Sequence, residues 1–186
     1  MAGFRVAHRL VAFVALAALM LAGAAKAAEP VILTVSGAIT NTNRPALDPF
    51  MDALAGFQLD DGFEQAFAFT RSDLEAMPQH ALALHYPDWP SSLTLAGPRL
   101  RDVLATAGAE GATVRAMAVD GYTVDIPIEL AMSEAVILAL SADGVPLALG
   151  GRGPIWLAHE PGAIDPQAPD SDATMAWALY HIHIMP

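Results

Sequence analysis

The chain has 186 residues, with 20 acidic side chains against nine cationic ones, a formal charge of −11, and no cysteine. A surface this acidic repels nucleic acid and anionic lipid and excludes both as partners. The absent thiol excludes a disulfide framework, a cysteine nucleophile and a metal held by thiolate.

The first residues carry an export pattern. Arg5 and Arg9 give a positive segment, residues 10–22 form an unbroken apolar run, and Ala25-Lys26-Ala27 is an A-x-A cleavage site. This predicts a signal peptide over residues 1–27, with an apolar run too short for an ordinary membrane span. One domain then remains over residues 29–186, and a domain of that size buries roughly 70% of its unfolded surface without a staple. Six arginines and no lysine stand in it against the 20 acidic residues, so its formal charge is −14. No later segment reaches span length, so no direct membrane insertion is expected after cleavage.

Residues 31–37 predict a first strand closed by a glycine. Residues 38–57 are mixed, with Asn41-Thr42-Asn43-Arg44-Pro45 as a turn or loop. Residues 65–69 predict a short strand with Phe67 and Phe69 on one face. Ser72-Asp73-Leu74-Glu75 reads as a capping box with Ser72 at the cap, opening a helix that Pro78 keeps short. A strand over residues 81–85 leads to Tyr86-Pro87-Asp88-Trp89-Pro90, where two prolines restrain the tryptophan. Leu93-Thr94-Leu95 predicts a strand, Gly97-Pro98 the turn after it, and residues 99–107 a helix ending at Gly108. Leu100, Val103 and Leu104 give that helix one apolar face.

Strands over residues 113–118 and 122–126 flank Asp120-Gly121, a hairpin signal. A helical turn follows at residues 129–132. Strands over residues 135–140 and 146–149 flank a second hairpin signal, Asp143-Gly144. The glycine-rich Leu149-Gly150-Gly151-Arg152-Gly153-Pro154 precedes a strand over residues 155–158. Residues 160–172 are polar and irregular, and residues 177–184 alternate as a last strand. Many short strands with a few short helices predict an α+β fold, mostly antiparallel.

Several of these motifs, in this order, carry a resemblance. They are Leu74-Glu-Ala-Met-Pro-Gln79, Trp89, Gly97-Pro98 followed by Leu100-Arg-Asp-Val-Leu104, Tyr122-Thr-Val-Asp-Ile-Pro127, Val136-Ile-Leu-Ala139, Asp143-Gly144, Arg152-Gly153-Pro154 and Trp177. Over residues 31–184 the chain resembles the oxidoreductase molybdopterin-binding domain family of the sulfite oxidase fold. Enzymes of that fold hold molybdenum through a cysteine thiolate, which this chain lacks. It is similar to the cysteine-less periplasmic members that bind a pterin without catalysis. Those members report ligand state to a membrane sensor in cyclic di-GMP signalling. The resemblance thus implies a periplasmic, non-catalytic regulator with a reduced pterin or molybdopterin-like ligand, no molybdenum, and a membrane sensor as partner. Three positions depart from the pattern. Asp88 stands where a threonine is frequent, Thr174 where an arginine is frequent, and Gly150 or Gly151 where a charged residue is frequent.

A pterin is a flat bicycle with an amino-pyrimidinone edge, so its site needs an aromatic face, an acceptor for the amino edge and donors for the ring oxygen. Trp89 is either the stacking face or a loop-packing residue, and Asp88 either pairs with the amino edge or belongs to a turn. Arg152 supplies a donor fork, and Gly153 lets backbone approach a ligand, unless the loop is a solvated hairpin end. Tyr122 and Trp177 either line the site or pack. Arg101 is a weaker contact on a solvated helix face. His181 and His183 share one strand face and, with His85 or His159, are an alternative metal set. An oxidoreductase with a non-cysteine molybdenum ligand is the other alternative. No G-x-S-x-G motif, P-loop or dinucleotide fingerprint is present.

Overall fold

The computed structural model describes residues 28–59 and 62–186; the signal segment expected over residues 1–27 lies outside them. In chain order come β1 (Val31–Gly37), α1 (Ala53–Gln58), β2 (Ala66–Thr70), α2 (Arg71–Glu75) and β3 (Gln79–Leu84). Then follow β4 (Leu93–Pro98), α3 (Leu100–Ala107), β5 (Thr113–Ala118), β6 (Thr123–Pro127) and α4 (Ile128–Ala131). The chain continues through β7 (Val136–Ala139), β8 (Ser141–Ala142), β9 (Val145–Pro146), β10 (Trp156–His159) and β11 (Leu179–Met185).

The strands form a five-stranded sheet in the order β2-β1-β11-β5-β6, a four-stranded sheet β3-β4-β8-β9, and a β10-β7 pair. Only β1 and β11 run parallel among the described strands, with Ser36 opposite His183. This is the α+β architecture of mixed sheets and short helices that the strand-rich pattern predicts.

Two apolar layers hold it together. Helix α3 buries Leu100, Val103 and Leu104, the predicted face, and Ala107 in one core with Leu33 and Val35 of β1, Ile182 of β11 and Leu138 of β7. Each such side chain contributes roughly 1.5–3 kcal/mol when fully buried. Gly108 takes the left-handed conformation at φ 67° and ends the helix. A second layer, of Leu84, Tyr86, Trp89, Leu95, Ile137, Trp156 and Met175, sits between β4, β7, β10 and the loops beside them.

The structure corrects several expectations. The capping box belongs to Thr70 and Asp73, not to Ser72: Asp73 N–H donates to Thr70 Oγ1 (3.2 Å) and Thr70 N–H to the Asp73 carboxylate (2.8 Å). Gly97-Pro98 is the end of β4 rather than a turn, because the strand runs on to lie against β7. Asp143 and Gly144, at φ 48° and 76°, make the predicted tight hairpin, but its returning strand is only β9. The sequence pattern does not predict helix α1; Phe57 within it and Phe50 before it are 89% and 87% exposed, so no buried apolar stripe marks it. The last strand starts at Leu179, which leaves Trp177 in the segment before it.

Gly97 is where β4 and β7 come closest. A Cβ there would lie 1.9 Å from Leu138 O and 2.9 Å from Ala139 Cα, both backbone atoms that cannot turn aside. Gly97→Ala should therefore cost about 3 kcal/mol in urea unfolding, the upper end for overpacking. An unchanged midpoint would show that the strands separate freely.

Candidate functional site

The arrangement starts from the turn Tyr86-Pro87-Asp88-Trp89. Trp89 N–H donates to Tyr86 O (2.9 Å), so Pro87 and Asp88 occupy the two central positions of a β-turn, where proline's fixed φ is favourable. This turn folds Trp89 inward. Its ring packs against Tyr86 (centroids 5.1 Å apart) and Trp156 (5.3 Å), and only 7% of the residue is exposed. The ligand-stacking role considered for Trp89 is corrected: its faces are covered by core rings. Asp88 is exposed in the turn, in keeping with its turn reading, and lies outside the cleft lining.

The rings nevertheless carry two polar groups into one cleft. Trp89 Nε1–H donates to Asp172 Oδ2 at 2.7 Å. Arg152 lies over Trp156, its Cζ 4.4 Å from the ring centroid, a cation–π geometry. Arg152 and Asp172 line a cavity of about 400 Å³ together with Asp120, Tyr122, Ala173, Met175 and Trp177. That volume is within the roughly 300–1,000 Å³ of small-molecule sites. Among the described residues the Arg152 guanidinium has no hydrogen bond or ion pair, and Asp172 has no side-chain partner but Trp89.

Three segments form the walls. The β5–β6 connection supplies Asp120 and Tyr122; Asp120 Oδ1 accepts from Tyr122 N–H (3.0 Å), with Gly121 at φ 90° between them. Tyr122 Oη–H donates to Ala173 O and ties that connection to the segment after the irregular loop. The glycine-rich loop supplies Arg152, whose carbonyl accepts from Ala178 N–H (2.9 Å). Ala178 sits at φ 54°, a left-handed conformation that alanine rarely adopts, next to the 45%-exposed Trp177.

Of the residues singled out from the sequence, Tyr122, Arg152 and Trp177 meet in the cleft. Gly153 is buried behind it, where a Cβ would fall 2.5 Å from Leu147 C; the glycine admits neighbouring backbone rather than a ligand. Arg101 instead pairs with Glu134 at 2.9 Å. Sequence reasoning missed Asp120, Asp172 and Trp156, the buried ring under Arg152. Asp120 was visible only as half of a turn signal, and Asp172 ends a segment without periodicity.

Two buried donors beneath the cleft, Tyr86 Oη and Trp156 Nε1, have no partner. Burial raises the Tyr86 phenol pKa above its ordinary value, and the Asp172 charge raises it further, which keeps that donor protonated. A hollow of about 480 Å³ around His80, Arg99, Glu134 and Glu160 is larger. Its Arg99 is already ion-paired with Glu134, so it offers a ligand less unspent charge.

His159, His181 and His183 are hydrogen-bonded to protein groups, and His85 is exposed. Ser36 Oγ lies 2.9 Å from His181 Nε2 and 3.0 Å from His183 Nδ1. His159 Nδ1–H donates to Glu160 O (2.7 Å), so Nε2 of the neutral ring accepts from the Thr174 hydroxyl (2.9 Å). Among the described residues no three His, Cys, Asp or Glu side chains are grouped to hold a metal ion. No described helix is long and apolar enough to cross a membrane.

Residues 88–158 match the family model described as the oxidoreductase molybdopterin binding domain. Among solved structures, the fold is similar to the sulfane dehydrogenase SoxCD from Paracoccus pantotrophus, with a TM-score of 0.55 and 17% identity. That match covers 82% of this chain but 37% of the other, so this chain spans well under half of that length. No curated protein matches the sequence.

The buried histidines set a pH dependence. Burial lowers the His181 pKa from 6.5 to about 3, with repulsion from His183 and Arg44 adding to it. The unfolded chain therefore protonates near pH 6.5 while the folded one resists to about pH 3, so this stability is complete above 6.5 and is lost as pH falls. Unfolding free energy should drop by about 2 kcal/mol from His181 alone between pH 7.5 and pH 5. His159 and His183, also lowered by burial, act in the same direction. Urea titrations across that range check it, and the slope should flatten in His181→Gln.

Proposed function

We propose that this chain, whose residues 88–158 match the oxidoreductase molybdopterin-binding domain family model and which has no cysteine, is a non-catalytic pterin-binding protein of the periplasm. Molybdenum in this fold is held by a soft thiolate, which no residue here supplies. The metal therefore does not fit this donor set, and no reaction step is assigned to it. The pterin part of such a cofactor does fit.

One observation carries the reading. The cleft combines aromatic surface at Tyr122 and Trp177 with an unpaired arginine fork and two carboxylates, Asp120 and Asp172. A flat heterocycle with N–H donors on one edge and a carbonyl beside them satisfies all three elements. The exposed Trp177 takes the stacking role that the buried Trp89 cannot perform.

In this reading the bound form reports to a membrane sensor, for which a cyclic di-GMP sensor is the proposed partner. Signalling requires only that the sensor distinguish liganded from empty protein. A formal charge of −14 over residues 29–186 suits a basic patch on that sensor's periplasmic face.

Exported protein should be purified and its small molecules and metals identified by mass spectrometry and fluorescence. A pterin without stoichiometric molybdenum is the expected result. Arg152→Ala should weaken pterin binding about tenfold to a hundredfold, the range for a lost charged hydrogen bond. Trp177→Ala should weaken it by up to about tenfold, the range for a lost ring contact. Molybdenum with a pyranopterin would instead establish the oxidoreductase reading, and no binding of any pterin would overturn the proposal.

A further inference from the structure

The cleft contains two carboxylates, and they are held differently. Asp120 is fixed within its own turn, by the backbone N–H of Tyr122 two residues on. Asp172 is fixed from 83 residues away, by the indole N–H of a buried tryptophan at 2.7 Å. That tryptophan is wedged between Tyr86 and Trp156, and Trp156 is the ring beneath Arg152. One rigid stack therefore sets an acceptor and a donor fork on the lining of the same cavity. Rings packed at core density do not shift independently, so the positions of the two groups are linked.

The Asp172 carboxylate keeps capacity for a ligand. Its two oxygens offer about four lone-pair sites, and the indole N–H takes one. Both oxygens remain able to accept from adjacent N–H donors in a parallel, bidentate pair, a strong and directional arrangement. The backbone supports this placement, since Met175 N–H donates to Asp172 O (2.8 Å) and Tyr122 Oη–H holds the neighbouring Ala173 O.

We infer that Asp172 is the specificity determinant that reads the amino-pyrimidinone edge of the ligand, and that Trp89 is its positioning residue rather than a stacking surface. The inference rests on the pterin reading of the cleft. The ligand class it selects is a 2-amino-4-oxopteridine, whose amino group and N3–H face the carboxylate and whose ring oxygen is available to Arg152. A 2,4-dioxopteridine has the same ring shape but turns a carbonyl toward the carboxylate, and two acceptors repel.

The experiment compares these two probes, pterin and lumazine, by fluorescence titration of the purified protein. The wild type should bind pterin at least tenfold more tightly than lumazine. Asp172→Asn replaces one acceptor oxygen by a donor and should cut the preference to threefold or less. Trp89→Phe keeps a packed ring but removes the N–H. It should lower pterin affinity severalfold while leaving lumazine affinity unchanged, a pattern that loosened packing would not give. Asp172→Asn removes no buried group, so it decides the matter even where Trp89→Phe folds poorly. Equal binding of the two probes by the wild type overturns the inference and leaves the pterin site standing. So does a preference that survives Asp172→Asn. Binding of neither probe overturns both.

Discussion

Tyr86, Trp89 and Trp156 pack ring against ring at 5.1 and 5.3 Å between two small sheets and an irregular loop. This contact does more than exclude water. Rings of this size bury on the order of 150–250 Å² each, so they contribute strongly to the second core layer. They also have polar handles that an aliphatic core lacks. Trp89 spends its N–H on Asp172, and Trp156 offers its face to Arg152. The charged lining of the cleft is thus anchored in the hydrophobic core, and long loops carry groups that the core locates.

The same constraint explains the loop structure around the cavity. Residues 160–172 have no regular element, yet the chain from Asp172 to Thr174 is tied down three times: by Trp89, by Tyr122 and by His159. A loop held at that end can present Asp172 and Ala173 reproducibly while its middle stays outside any sheet. Gly153 and Ala178 serve the opposite wall. The glycine lets its backbone meet Leu147 and Ala148, and Ala178 accepts a left-handed φ that turns the chain between Trp177 and β11. Backbone strain of that kind persists only where its surroundings hold it, here a hydrogen bond to Arg152 O.

Much of the fold was legible because short-range patterns decide it. β1 and β5 occupy the residues predicted for them, 31–37 and 113–118, and α3 buries the side chains that helical spacing selects. Where sequence reading failed, a tertiary contact had won. Gly97-Pro98 looks like a turn, but in this fold it is the strand end that another backbone approaches. Trp89 was the hardest case. Two flanking prolines correctly indicate a restrained ring, and nothing local says whether the restraint points outward to a ligand or inward to a core. Asp172 was invisible because its meaning comes from a partner 83 residues away.

A chain without cysteine can still carry a polar, aromatic-lined cleft in this fold. In this chain the groups suited to a heterocycle are an arginine on an indole face, a carboxylate on an indole N–H, and exposed rings at the rim. Arg152 and Asp172 depend on no metal for their position, since one lies on an indole face and the other accepts from an indole N–H. A cleft built this way places its polar groups through the protein's own core and loops.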